Sequence, residues 1–126
     1  MKPEAAVFLE RARECLRDAT RVLPMVPRMA AREAYLAAFQ AAQALIYERT
    51  ERVSKTHRGV RAQFSLFTRD EPRIGHDHVL FLARGYEIKS WADYGTGPQD
   101  QAIPITPAEA IEAAGRFIEA VANLLA

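Results

Sequence analysis

From Arg28 to about Arg49 the residues Ala31, Ala34, Tyr35, Ala38, Phe39, Ala42, Leu45 and Ile46 recur at three- and four-residue steps without a break. An α-helix turns once in about 3.6 residues, so this spacing puts all of them on one face. Half of that face is alanine, the residue with the best intrinsic helix propensity, and its small side chain lets a neighbouring helix come close. A helix of this kind is expected at the centre of a helical assembly.

The rest of the chain reads as helices that can cover it. Phe8, Ala12, Cys15, Leu16, Ala19 and Val22 form an apolar stripe between Glu4 and Val22, with Glu10, Arg13, Glu14, Arg17 and Arg21 opposite. Pro24 and Pro27 end that pattern, because proline lacks an amide donor and clashes with the preceding turn. Thr56 is placed to cap a shorter helix with Val60, Phe64 and Phe67 on its inner side, which leaves through "RDEPRIG". A fourth helix is expected from about Asp77 to Trp91, with Val79, Leu82, Ala83 and Tyr86 facing inward. "DYGTGPQDQAIPI" reads as a loop, given its glycines and prolines. Thr106, Pro107 and Glu109 then form a capping-box signature, followed by the stripe Ala110, Ala114, Phe117, Ile118, Val121 and Leu124 or Leu125. Strand signals and fixed-period repeats are absent. The expected fold is all-α, an antiparallel bundle of four or five helices in one domain over residues 1–126.

Composition narrows the function classes. With 126 residues the chain can bury one core without disulfides or a structural metal. Its 49% hydrophobic and 26% charged residues match an ordered globular protein. A net charge of +1 gives no global nucleic-acid signature, so any such role has to come from local clustering. The single Cys15 excludes an internal disulfide, and no paired Cys/His spacing suggests zinc. No apolar run is long enough to span a bilayer, and the acidic start "MKPEAAVFLERARE" does not read as a secretory signal, so a cytoplasmic location is expected.

The local cluster is "ERTERVSKTHRGVR", where Arg49, Arg52, Lys55, Arg58 and Arg61 outnumber Glu48 and Glu51. Basic side chains at a helix end and in the following loop can hold phosphates, although they also complement the helix dipole and keep a surface soluble. An arginine and a histidine together can cleave RNA without a metal. Histidine transfers the proton of the 2′-hydroxyl or of the leaving oxygen, and arginine offsets the charge that builds at phosphorus. The spacing alone is not selective, since Arg52 and His57, Arg69 and His76, and Arg73 and His78 all satisfy it. Tyr86, Trp91 and Tyr94 suit packing or an interface. Asp93 can pair with an arginine or position His57, and Cys15 lies on an inner stripe as a small core residue.

Three segments, "REAYLAAFQAAQALI", "KTHRGVRAQF" and "YEIKSWADYG", follow one another in an order and at distances that resemble the HEPN domain superfamily. These are the small all-helical domains of prokaryotic HEPN–nucleotidyltransferase pairs, and the resemblance covers nearly the whole chain. It implies a homodimeric HEPN-like bundle, often a toxin or accessory subunit encoded beside a nucleotidyltransferase antitoxin. Active members are metal-independent ribonucleases that use an arginine followed a few residues later by a histidine. By position this falls on Arg52, as transition-state stabiliser, and His57, as general acid/base. Arg49, Lys55, Arg58 and Arg61 would then contact RNA, and Asp93 and Tyr94 would support the site or an interface. Neither a metal nor another cofactor is implied. The chain differs from better-studied toxins in having Val53 after the arginine, Gly59 where some carry a modifiable tyrosine, and Lys89 where many relatives have arginine. The alternative is a non-catalytic module that binds a nucleotidyltransferase, a nucleotide or RNA. A plainer one is a dimeric scaffold whose basic turn is merely solvated.

Overall fold

The computed structural model describes residues 1–94 and 105–126. They form α1 (Pro3–Val22), α2 (Pro27–Thr50), α3 (His57–Thr68), α4 (His76–Tyr94) and α5 (Pro107–Leu125), with no strand among the described residues. Pro3, Pro27 and Pro107 each stand in a first helical turn, where the missing amide has no partner to lose. Thr56 caps α3 by accepting the Gly59 N–H at 2.9 Å. Thr106 and Glu109 close a full capping box, each side chain accepting the other's backbone N–H at 3.1 Å. α2 ends differently. Glu51 takes the left-handed conformation with φ 59°, unusual for a residue with a Cβ, and its N–H donates to Tyr47 O at 2.8 Å.

α2 touches all four other helices and is the axis of the bundle. The Lys2 N–H, at the start of α1, donates to the Glu48 carboxylate near the end of α2 at 2.8 Å, so these helices run antiparallel. Arg32 near the start of α2 meets Asp93 near the end of α4, so α4 is antiparallel to α2 as well. Arg13 on α1 pairs with Glu119 on α5, while Leu16 packs against Gly115, which sets α5 antiparallel to α1. The alanines of α2 from Ala30 to Ala44 are buried, and the bulk around them comes from Tyr35, Phe64, Leu82, Phe117 and Ile118.

Two inner faces differ from the sequence expectation. In α1 the centre of the buried stripe is Ala5, Leu9, Ala12 and Ala19, with Phe8, Cys15, Leu16 and Val22 half-buried at its edges. In α4 Ala83 is exposed and Tyr86 is 40% exposed, whereas Phe81, Leu82, Gly85, Ile88 and Ala92 face inward and Val79 is half-buried. "VLFLARGYEI" carries apolar residues around the whole helix, so no single stripe stands out in the sequence. The packing partner decides the rotation: a Cβ on Gly85 would overlap the Tyr35 ring and sit 3.0 Å from its Cγ and Cε1. Glycine at that point lets α4 approach α2. No helix among the described residues is long and apolar enough to cross a membrane.

Candidate functional site

The loop between α2 and α3 is held from α2. Gln43 is the polar exception in the buried row, and its amide clasps the backbone of Ser54. Nε2–H donates to Ser54 O at 2.8 Å, and Oε1 accepts the Ser54 N–H at 3.2 Å. Thr50 Oγ1 accepts the Arg52 N–H at 3.1 Å and donates to Ile46 O at 2.8 Å. With the loop pinned and Thr56 capping, His57 opens α3 with its ring turned back onto α2 and α4.

That ring sits in an aromatic niche. Its Nδ1 and Tyr35 Oη are hydrogen-bonded at 2.7 Å. Its centroid lies 4.5 Å from the Phe39 ring, 5.1 Å from Tyr86 and 5.7 Å from Tyr35. Arg61, one turn further along α3, places its guanidinium 5.3 Å from the Tyr86 ring centroid, a cation–π contact. Lys89 follows Tyr86 on α4, and its Nζ donates to Asp93 Oδ2 at 2.5 Å, while Arg32 Nε donates to Asp93 Oδ1 at 2.6 Å. Arg32 also pairs with Glu33 at 2.8 Å.

The electrostatics follow from this arrangement. Burial first, and then the positive charges of Lys89 and Arg61, hold His57 below the ordinary histidine range. Burial drives the Tyr35 hydroxyl above the usual phenol range, against the opposing pull of Arg61, so Tyr35 is a neutral phenol at any physiological pH. The Lys89 hydrogen bond, with a further contribution from Arg32, keeps the Asp93 carboxyl below the usual carboxylate range. The niche therefore presents a neutral, readily deprotonated imidazole beside fixed cations, an arrangement suited to an anionic ligand with a proton to exchange.

The residues singled out from sequence are distributed unequally around it. Arg61 borders the niche. Arg52 is exposed on the loop and is anchored by its backbone, and no bond joins its side chain to His57 among the described residues. Lys55 and Arg58 are exposed, and Arg49 lies in the last turn of α2, where its charge acts on Glu71. Asp93 binds Arg32 and Lys89 and reaches the niche only through Lys89. Tyr94 closes α4, and its side chain lies outside the described residues, as does most of the loop that follows. Trp91 is half-buried.

Of the competing Arg–His pairs, Arg69 and His76 are exposed, and Arg73 and His78 are engaged elsewhere. Arg73 is tied to Glu71 through Nε at 2.8 Å and Nη2 at 3.2 Å, and His78 meets Phe117 edge-on at 5.8 Å. A groove of about 260 Å³ between the N-terminal halves of α4 and α5, bordered by His78, Phe81, Arg84 and Arg116, does not include His57. Burial raises the Cys15 thiol to about 11, as befits a half-buried packing residue. Among the described residues no group of three or more His, Cys, Asp or Glu converges as a metal site would require.

Sequence reasoning missed Tyr35, Gln43 and Lys89. Each left a signal: a hydroxyl and an amide in an otherwise apolar buried row need partners, and a lysine four residues before an aspartate on a helix is an ion pair. No protein-family model matches the chain, and no curated protein matches it.

Proposed function

We propose that this chain is a HEPN-like, homodimeric, RNA-directed protein whose working group is His57, a metal-independent ribonuclease of the toxin type paired with a nucleotidyltransferase. The observation that carries the reading is the immobilised His57 ring, hydrogen-bonded by Tyr35 and flanked by Arg61 and Lys89. A histidine with a lowered pKa and cations at its side can exchange a proton at a phosphodiester while the cations offset the charge that builds on phosphorus. The 2′-hydroxyl that such chemistry attacks with exists in RNA and not in DNA. Arg52, Lys55 and Arg58 are exposed on the same loop and helix start and are free to meet the strand. Supporting the family reading are the three segments, whose described residues fall on α2, on the start of α3 and on the end of α4 up to Tyr94, around this niche.

The test is incubation of wild-type and His57→Ala protein with labelled RNA in excess chelator. Wild-type protein is expected to leave 2′,3′-cyclic phosphate ends, and the variant to lose about 10²- to 10⁴-fold in rate, the usual worth of a positioned acid or base. A folded wild-type protein that leaves RNA intact sinks the nuclease reading. The lack, among the described residues, of a bond between the Arg52 side chain and His57 favours one second reading, a non-catalytic module in which the same niche binds a nucleotide, RNA or the nucleotidyltransferase. Retained RNA binding without cleavage is its expected signature.

A further inference from the structure

Tyr35 is the hydrogen-bonding neighbour that the structure gives His57, and packing leaves it little freedom. Its side chain is fully buried at 0% exposure, with Gly85 of α4 pressed against one edge of the ring and Phe39 at 6.2 Å between centroids. Among the described residues its hydroxyl has no partner besides His57 Nδ1, at 2.7 Å. A buried phenol hydrogen without an acceptor is costly, so in the neutral site Tyr35 Oη–H donates to Nδ1. A neutral imidazole carries one proton, which then resides on Nε2.

We propose that Tyr35 is a positioning residue that holds His57 so that the ring meets its substrate through Nε2–H, as a donor and general acid rather than as the base for the 2′-hydroxyl. The proposal rests on the reading of His57 as the working group of a ribonuclease. The groups facing the ring fit a donor: Tyr35 and Phe39 from α2, Arg61 from α3, and Tyr86 and Lys89 from α4. None is a carboxylate, so the negative charge that holds the imidazolium is the substrate's own phosphate, which the two cations draw towards the ring. In the step itself the 2′-oxygen bonds to phosphorus and the bond from phosphorus to the 5′-oxygen breaks. The imidazolium gives its Nε2 proton to that leaving oxygen, and the 2′-hydroxyl proton leaves to water. The neutral ring first takes up a solvent proton at Nδ1, which then donates to the Tyr35 oxygen, so the contact persists with its direction reversed. After the transfer Nε2 is reprotonated from water and the Nδ1 proton returns to solvent, which restores the resting tautomer.

The tautomer is measurable without any substrate. In ¹⁵N-edited NMR of histidine-labelled wild-type protein, above the pH at which His57 titrates, Nε2 is expected to be protonated and Nδ1 bare, with a Tyr35 hydroxyl resonance protected from exchange. Tyr35→Phe is expected to shift the Nδ1 resonance and to give a mixture of tautomers. A proton on Nδ1 in the wild type, or ring resonances unchanged by Tyr35→Phe, overturns the proposal. If the variant does not fold, the wild-type tautomer and hydroxyl resonance decide alone. Where RNA is cleaved, the His57 limb of the rate profile should fall as pH rises, because the acid form is lost; a limb that instead falls as pH drops overturns the assignment. The NMR result needs no cleavage, so a donor tautomer in a protein that leaves RNA intact counts against the nuclease reading and not against the role of Tyr35.

Discussion

At the scale of single residues the site depends on atoms that are missing as much as on those present. Gly85 has no Cβ, and that absence is what allows one edge of the Tyr35 ring to press against α4 with its hydroxyl at His57. Adding one methyl there has to displace either the ring or the helix. Overpacking of this kind typically costs about 1 to 3 kcal/mol, so Gly85→Ala is expected to lower the urea midpoint and to perturb the His57 ring resonances together. A lowered midpoint with an unmoved His57 would show that the helix yields and the niche does not. Tyr86 illustrates the opposite economy: it is partly exposed, yet its ring bridges His57 and Arg61, so its value lies in the site and not in the core.

At the scale of elements, α3 is placed by what precedes it. A short helix held only by its own hydrogen bonds is marginal in water, and α3 has 12 residues. Its start is fixed by the Thr56 cap and by the Gln43 clasp on Ser54, whose two backbone groups have no partners besides Gln43 among the described residues. Gln43→Leu keeps the volume and removes both bonds. The expected loss is about 1 to 3 kcal/mol, with faster amide exchange at Ser54 and through the first turn of α3. Unchanged exchange at Ser54 would mean that the loop has other support. The alternating charges of this loop were legible as a polar turn with a cap; the clasp was not, since it joins residues 11 apart in sequence.

At the scale of the whole molecule, Asp93 fastens the end of α4 to the start of α2. Its carboxylate collects Lys89 from its own helix and Arg32 from the other, and its folded pKa is depressed first by the Lys89 hydrogen bond and then by Arg32. A group depressed in this way stabilises the fold fully above its unfolded pKa, near 3.9, and the contribution is lost as pH falls through the folded value. Urea midpoints are therefore expected to decline in acid below about pH 4, and Asp93→Asn is expected to flatten that part of the curve while lowering stability at neutral pH. A variant whose acid limb matches the wild type would remove Asp93 from the linkage. Because α4 carries Tyr86 and Lys89 into the niche, the same variant is expected to alter the His57 titration.

By itself the sequence determined an all-α chain of four or five helices and the caps at Thr56 and Thr106, because periodicity, proline position and capping side chains act within a turn or two of one another. Thr56, Thr106 with Glu109, and the alanine row of α2 all stand where that local chemistry puts them. The basic segment and His57 were equally visible as residue types. Only the tertiary structure decided which face of α4 turns inward, that Tyr35 reaches His57, that Gln43 holds the loop, and that Arg61 and not the Arg52 side chain borders the ring. The physical reason is that these are contacts between helices. They depend on how far each helix rotates and how closely two backbones approach, and in an assembly with alanine along its central face and apolar residues around α4, that choice is made by packing and not by any local pattern.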